Sequence, residues 1–101
     1  MAATSHVRAS TEEARRLRKE AGNWLRQLRE QAQLSQHDLA KALGFKYYTF
    51  ISQVENGFGR VPPESLKLWA QHLKQDPASF TKTLLRYYDP HTYEALFGDS
   101  P

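Results

Sequence analysis

The sequence predicts an all-α fold, and three observations lead to this class. Apolar residues recur with the i, i+3, i+4, i+7 spacing of a helix face along most of the chain. These segments are separated by two kinds of residue. Some favour helix starts, such as Ser35 and two Asp-Pro pairs, and others are glycines that favour helix ends, such as Gly44 and Gly57. No segment competes as a strand, because apolar and polar residues do not alternate. The 101 residues suffice for one domain with a single core.

The first part of the chain is predicted to be one long helix that follows a flexible arm at residues 1–10. Ser10 and Glu13 have the spacing of a capping box, so the helix is expected at about residues 11–32. Gly22 should weaken this helix, since glycine costs about 1 kcal/mol relative to alanine. The apolar stripe of the helix consists of Leu17, Ala21, Trp24, Leu25, Leu28 and Ala32.

Two short helices joined by a turn are predicted between Leu34 and Gly57. Ser35 and Asp38 form a capping box at the start of the first, and the second is expected at residues 47–56. The second helix has a core-facing stripe of Tyr47, Phe50, Ile51 and Val54 and an opposite polar face of Thr49, Ser52, Gln53 and Asn56. Small uncharged polar side chains on an exposed helix face suit the base edges of a DNA major groove, although an ordinary solvated helix face has the same composition.

Prolines open the remaining predicted helices. Pro63 follows a loop rich in glycine and proline, and the stripe after it consists of Leu66, Trp69, Ala70 and Leu73. Asp76-Pro77 and Asp89-Pro90 are each expected to cap and open a further helix. Residues 76–101 are predicted to be a helical extension that mediates dimerisation, with packing onto the chain's own core as the alternative. The apolar residues assigned to dimerisation are Phe80, Leu84, Tyr87, Tyr88, Tyr93, Leu96 and Phe97.

Several classes of protein and site are not expected from this sequence. The chain has no cysteine, and its histidines (His6, His37, His72 and His91) lack the spacing of metal ligands, so no metal site is predicted. Ser35 and Ser52 have no base and acid partners at useful spacing and no glycine-rich phosphate loop occurs, so neither an enzyme nor a cofactor is expected. No signal peptide or membrane-spanning run is evident, and a cytoplasmic location is expected.

Positive charge is concentrated towards the N-terminal side of the chain. Residues 1–33 carry seven Lys/Arg against four Asp/Glu, residues 34–61 three against two, and residues 62–101 four against five. The net charge of +3 permits nucleic-acid binding without requiring it. The charged residues before Gly22 are most simply a solvated face, with a contact of some of them to a nucleic-acid backbone as the alternative; they are Arg15, Arg16, Arg18, Lys19 and Glu20.

The central segment, LSQHDLAKALGFKYYTFISQVENG, resembles the lambda-repressor-like, or Cro/XRE, helix-turn-helix family. The matching positions are Leu34, Ser35, Gln36, Leu39, Ala40, Leu43, Gly44, Ile51, Ser52, Val54, Glu55, Asn56 and Gly57. The resemblance extends from about Trp24 to Leu73. It implies a five-helix DNA-binding domain at residues 11–75, with the helix-turn-helix at about 35–57, an N-terminal helical extension and additional C-terminal helices. The segment FKYYTF is one residue longer than usual, so the turn or the start of the second helix must absorb a residue.

The resemblance also implies roles for individual residues, with helix 47–56 in the major groove. Base reading is expected of Lys46, Tyr48, Thr49, Ser52 and Gln53. Phosphate binding is expected of Gln36, Tyr47, Asn56 and Arg60. Arg29 and Glu55 are expected to pair and to brace the recognition helix, with an exposed, unpaired Arg29 as the alternative.

The function expected from these features is sequence-specific transcriptional regulation through double-stranded DNA. A repressor that binds a palindromic operator as a homodimer in the bacterial cytoplasm, at the nucleoid, is the leading hypothesis. The alternatives are activation through contact with polymerase, an antitoxin-like autoregulator whose aromatic C-terminal segment binds a partner protein, and an adaptor that no longer binds DNA. No small-molecule ligand is expected.

Overall fold

The computed structural model describes the backbone of residues 2–98 and the side chains of residues 11–98. The helices are α1 (Ala2–Gln31), α2 (Gln36–Ala42), α3 (Thr49–Glu55), α4 (Leu66–His72), α5 (Pro77–Tyr88) and α6 (Pro90–Phe97), and a short 3₁₀ turn at Pro63–Ser65 precedes α4. Residues 2–98 contain no strand, so the predicted all-α class is confirmed. Over the same residues, no helix is both long enough and apolar enough to cross a membrane.

Helix α1 begins at Ala2, well before the predicted start at residue 11. Residues 2–10 are therefore the first turns of a helix where the sequence predicts an arm, and Met1 lies outside the described residues. Ser10 lies inside the helix and does not start it. The physical reason is that no glycine or proline occurs before Gly22, so nothing in this part of the chain favours ending the helix earlier.

The core forms where the apolar faces of the helices meet. Its buried residues are Ala21, Leu25, Leu28, Leu39, Ala40, Ile51, Val54, Val61, Trp69, Ala70, Leu73, Phe80 and Leu84. Trp69 is the largest fully buried side chain. Helix α5 lies against α1, where the ring of Trp24 stacks on Phe80 with 5.5 Å between centroids and lies 6.3 Å from the ring of Tyr87.

The assignment of Phe80 and Leu84 to dimerisation is wrong. Both side chains are only 1% exposed, because the face of α5 that carries them is covered by the chain's own core. Burial of each contributes roughly 1.5–3 kcal/mol to folding of the single chain. Tyr87 and Tyr88 are half-buried and pack on the same core. The apolar side chains that α6 leaves exposed are Leu96 and Phe97.

The ends of several helices follow the sequence signals. The Ser35 hydroxyl accepts from the Asp38 amide and the Asp38 carboxylate accepts from the Ser35 amide, both at 2.9 Å, which is the predicted capping box. The Asp76 carboxylate accepts from the Ser79 amide at 2.9 Å and caps α5. Asp89 does not repeat this arrangement, because its carboxylate accepts from the Arg60 guanidinium and makes no capping bond to α6.

Candidate nucleic-acid interface

Helix α3 buries one face and exposes the other. Ile51 and Val54 are fully buried, so they fix the helix on the core. On the opposite side Thr49, Gln53 and Asn56 are exposed and Ser52 is half-buried, with the Asn56 amide donating to the Ser52 hydroxyl at 3.3 Å. The outward face is therefore polar, uncharged and within reach of an external partner.

A buried ion pair ties the end of α3 to α1. Arg29 Nε and Nη2 donate to the two carboxylate oxygens of Glu55 at 2.6 and 3.1 Å, and Arg29 Nη1 donates to the Leu34 carbonyl at 2.8 Å. Hydrogen bonding to Glu55 raises the pKa of Arg29 against the opposing effect of burial. The pair is the one that the resemblance implies, and it neutralises a carboxylate that would otherwise repel phosphates beside the polar face.

Gln36 belongs to the same network. Its side-chain amide donates to Glu55 Oε1 at 3.0 Å, so the start of α2 is joined to the end of α3. Gln36 is half-exposed, and its amide therefore borders solvent as well as Glu55. In this arrangement the residue that was expected to bind phosphate is oriented by the bracing pair.

Gly22 allows α1 and α3 to cross at close range. A Cβ atom on Gly22 would overlap the Glu55 carbonyl and would lie 2.8 Å from the Val54 carbonyl oxygen. The role of Gly22 is thus a close backbone approach at the end of α3, beyond the loss of helix propensity that the sequence indicates.

The turn between α2 and α3 absorbs the additional residue, and the predicted helix start at residue 47 is wrong. Helix α3 begins at Thr49, and Tyr47 is 66% exposed rather than part of the core stripe. Phe45 takes the apolar position instead, with its ring 5.1 Å from that of Phe50. Lys46 and Tyr48, both expected to read bases, therefore project from the turn and not from the helix.

The ring of Tyr48 lies 4.3 Å from the ring of His37 at the start of α2. This contact places a histidine beside the turn and the polar face of α3, a position that sequence reasoning did not assign to it. The two residues lie eleven positions apart on different elements, so no periodic pattern in the sequence indicates the contact.

The loop after α3 begins with Gly57, whose φ of +84° is the left-handed conformation that favours glycine. The side chain of Phe58 follows and is 85% exposed. Arg60, expected to bind phosphate, donates to Asp89 at 2.9 Å and lies over the Tyr88 ring at 4.6 Å from the centroid. Arg60 is still 45% exposed, but its direct partners in this structure are Asp89 and Tyr88.

Tyr88 also fixes the end of this loop. Its hydroxyl accepts from the Val61 amide at 3.3 Å. Burial raises the pKa of Tyr88, and the Val61 amide together with the positive charges of Arg60 and Arg18 opposes that effect. Arg18 on α1 is therefore within electrostatic reach of the same loop.

The described contacts join most of the predicted residues into one region. The start of α2, the turn after it and α3 are linked through Gln36, Tyr48 and the Arg29–Glu55 pair, whereas Arg60 lies at the junction of the loop with α5 and α6. Among residues 11–98, no group of three histidines or carboxylates is arranged to hold a metal ion.

A comparison with known protein families identifies the same family that the sequence resembles. The helix-turn-helix family model of the Cro/XRE type matches residues 25–80, which is just over half of the chain. A search of curated proteins finds no relative. The matched residues include α2, α3 and the loop after α3, whereas most of α1 and all of α6 lie outside them. The chain therefore belongs to the Cro/XRE-type helix-turn-helix family of DNA-binding transcriptional regulators.

Proposed function

We propose that this protein is a repressor that binds a palindromic operator as a homodimer, with α3 in the major groove. The observation that carries the proposal is the outward face of α3, which is uncharged, polar and held rigidly by Ile51, Val54 and the Arg29–Glu55 pair. A rigid polar face of this kind matches the hydrogen-bonding groups of base edges, which specify sequence. Occupancy of an operator that overlaps a promoter suffices for repression.

Base reading in this proposal is divided between the helix and the turn. Thr49, Ser52 and Gln53 lie on the outward face of α3, and Gln53 is the residue with an amide suited to bidentate bonds with adenine. Lys46 and Tyr48 extend the contact from the turn. Their support is exposure, since both side chains lie outside the core at the start of the helix.

Phosphate binding is proposed for four residues around this face. The Gln36 amide donates to Glu55, and the Asn56 amide donates to Ser52. Both amides can turn towards the phosphates of a DNA duplex that lies along the site. Tyr47 is exposed in the turn. Arg60 binds phosphate only by sharing or leaving Asp89, so its contribution should be smaller than that of an unpaired arginine.

Dimerisation is proposed through α6. Leu96 is 64% exposed and Phe97 46% exposed, and the ring of Tyr93 lies 5.3 Å from that of Phe97. These residues lie outside the matched family domain, and exposed aromatic and aliphatic side chains are enriched in interfaces. Two α3 helices of a symmetric dimer would then read half-sites centred about 34 Å apart.

Base reading is tested by selecting bound duplexes from a random library and measuring affinity for the selected site. Gln53→Ala should weaken that binding by about 1–3 kcal/mol and relax the preference at one base pair of each half-site. Gln27→Ala is the matched control, because Gln27 is an exposed glutamine on α1 and is not part of the polar face of α3. Equal losses on all duplexes from Gln53→Ala would show that this residue reads no base.

Dimerisation is tested by size-exclusion chromatography with light scattering. Leu96→Asp should give a monomer that binds one half-site, whereas Leu68→Asp, which removes an apolar side chain 40% exposed on α4, should leave the dimer intact. A monomeric wild-type protein would contradict the homodimer. Purification in a fixed ratio with a second protein, lost in Leu96→Asp, would favour the partner-binding alternative.

A further inference from the structure

Residues 11–16 of α1 lie outside the core, and the part of α1 before Leu25 lies outside the matched family domain. Residues 2–16 form about 22 Å of helix at 1.5 Å per residue, and Leu17 is the first residue in the range 11–98 of this helix that is half-buried. Side chains 11–16 are all exposed. Packing of the bundle therefore does not account for the helix at residues 11–16.

The helix passes directly beside the loop that follows α3. A Cβ atom on Gly57 would lie 3.0 Å from Lys19 Cα and 3.4 Å from the Arg18 carbonyl carbon. The side chains of Arg18 and Lys19 therefore emerge next to the segment 56–60. The effect of Arg18 on the pKa of Tyr88, where burial is the larger influence, is consistent with this position.

The charges on this helix fall into two groups. Arg16 is neutralised by Glu13 and Glu20, at 2.7 and 2.8 Å. Arg15, Arg18 and Lys19 lie on a different face, at the i, i+3, i+4 spacing that leads to Gly22 at the crossing with α3. Among residues 11–98, none of these three has a carboxylate within ion-pair distance.

We propose that Arg15, Arg18 and Lys19 form a second DNA-contacting surface, which binds backbone phosphates next to those reached by the loop at residues 56–60. Positive side chains without acidic partners match the charge of a phosphate backbone, and such contacts hold a protein on DNA without reading sequence. The proposal rests on the proposed function, because it requires α3 and its loop to face the duplex.

The salt dependence of binding tests this surface. The probe is a fluorescein-labelled duplex of roughly 40 base pairs and mixed sequence, since phosphate contacts are counted by the slope of log K against log salt at about 0.9 per contact. Arg18→Gln should lower the magnitude of that slope by about 0.9, and the triple change of Arg15, Arg18 and Lys19 to glutamine by about 2.7. The control is Arg16→Gln, the same substitution on the same helix at a neutralised arginine, which should leave the slope unchanged.

These variants should stay folded, because the three positions are exposed and glutamine is a good helix former. If the triple variant has the wild-type slope while Gln53→Ala still weakens binding to a selected site, the α1 surface is refuted and the proposed function stands. If Arg16→Gln changes the slope as much as Arg18→Gln, the slope depends on the net charge of the protein and the proposed surface is refuted. If the wild-type protein binds no duplex, both proposals fail.

Discussion

Replacing Glu55 alone by leucine should be among the most destabilising changes on the surface that joins α1, α2 and α3. Glu55 is 3% exposed and accepts three hydrogen bonds, two from Arg29 and one from Gln36. Arg29 is itself only 8% exposed, and removal of Glu55 leaves its guanidinium with the Leu34 carbonyl as its remaining acceptor among the described residues. Leaving one buried charge unpaired costs about 3–5 kcal/mol, and we expect a loss in that range.

The double variant separates the ion pair from simple packing. Arg29→Leu alone should cost a similar amount, because it leaves the Glu55 carboxylate buried with Gln36 only. Arg29→Leu with Glu55→Leu removes both charges together, so its free energy of unfolding should lie within about 1 kcal/mol of the wild-type value. The double variant should therefore be more stable than either single variant.

Urea unfolding followed by far-ultraviolet circular dichroism measures these free energies. An unchanged dependence of the unfolding free energy on urea concentration shows that the variants unfold by the same reaction. A cost below about 1 kcal/mol for Glu55→Leu would show that the pair contributes little. A double variant as unstable as the sum of the single variants would refute the coupling, since independent sites add.

Three further predictions concern α1, α5 and the loop after α3. Gly22→Ala should destabilise the fold by roughly 1–3 kcal/mol in urea unfolding, despite the better helix propensity of alanine, because its Cβ overlaps the Glu55 carbonyl. The Ser79 amide lowers the pKa of Asp76, so the stability from its carboxylate is complete above the ordinary carboxyl pKa and is lost as pH falls through the lowered value. In Asp76→Asn the free energy of unfolding should therefore fall less steeply as the pH is lowered. An equal fall in the wild-type protein and the variant would contradict this. Asp89→Asn should strengthen DNA binding by up to about fivefold by releasing Arg60, as measured by anisotropy against the control Glu94→Gln on α6.

Local signals in the sequence carry much of the fold. The capping box at Ser35 and the cap at Asp76 form as predicted, because each involves groups within three residues of one another. Gly44 and Gly57 take φ values of +83° and +84°, which their position after helices indicates. The outward face of α3 was also predictable, because helical periodicity separates it from the buried Ile51 and Val54.

Where the prediction failed, an apolar or charged side chain had more than one partner available. Phe80 and Leu84 show by their spacing that one face of α5 is apolar, and this spacing is the same whether a second chain or α1 covers that face. Tyr47 fits the periodicity of α3 but lies in the turn, since Phe45 fills the apolar site. Asp89 has the sequence position of a cap, yet the Arg60 guanidinium binds its carboxylate.

The sequence by itself determined the all-α class, the approximate position of most helices, and which face of α3 is polar and exposed. These properties depend on residues within one or two helical turns, so the printed order of residues contains them. Only the tertiary structure decided that α5 covers α1, that Gly22 lies against the Glu55 carbonyl, and that Lys19 lies beside Gly57. Such contacts join residues far apart in the chain, and their geometry follows from how the whole core packs rather than from any local pattern.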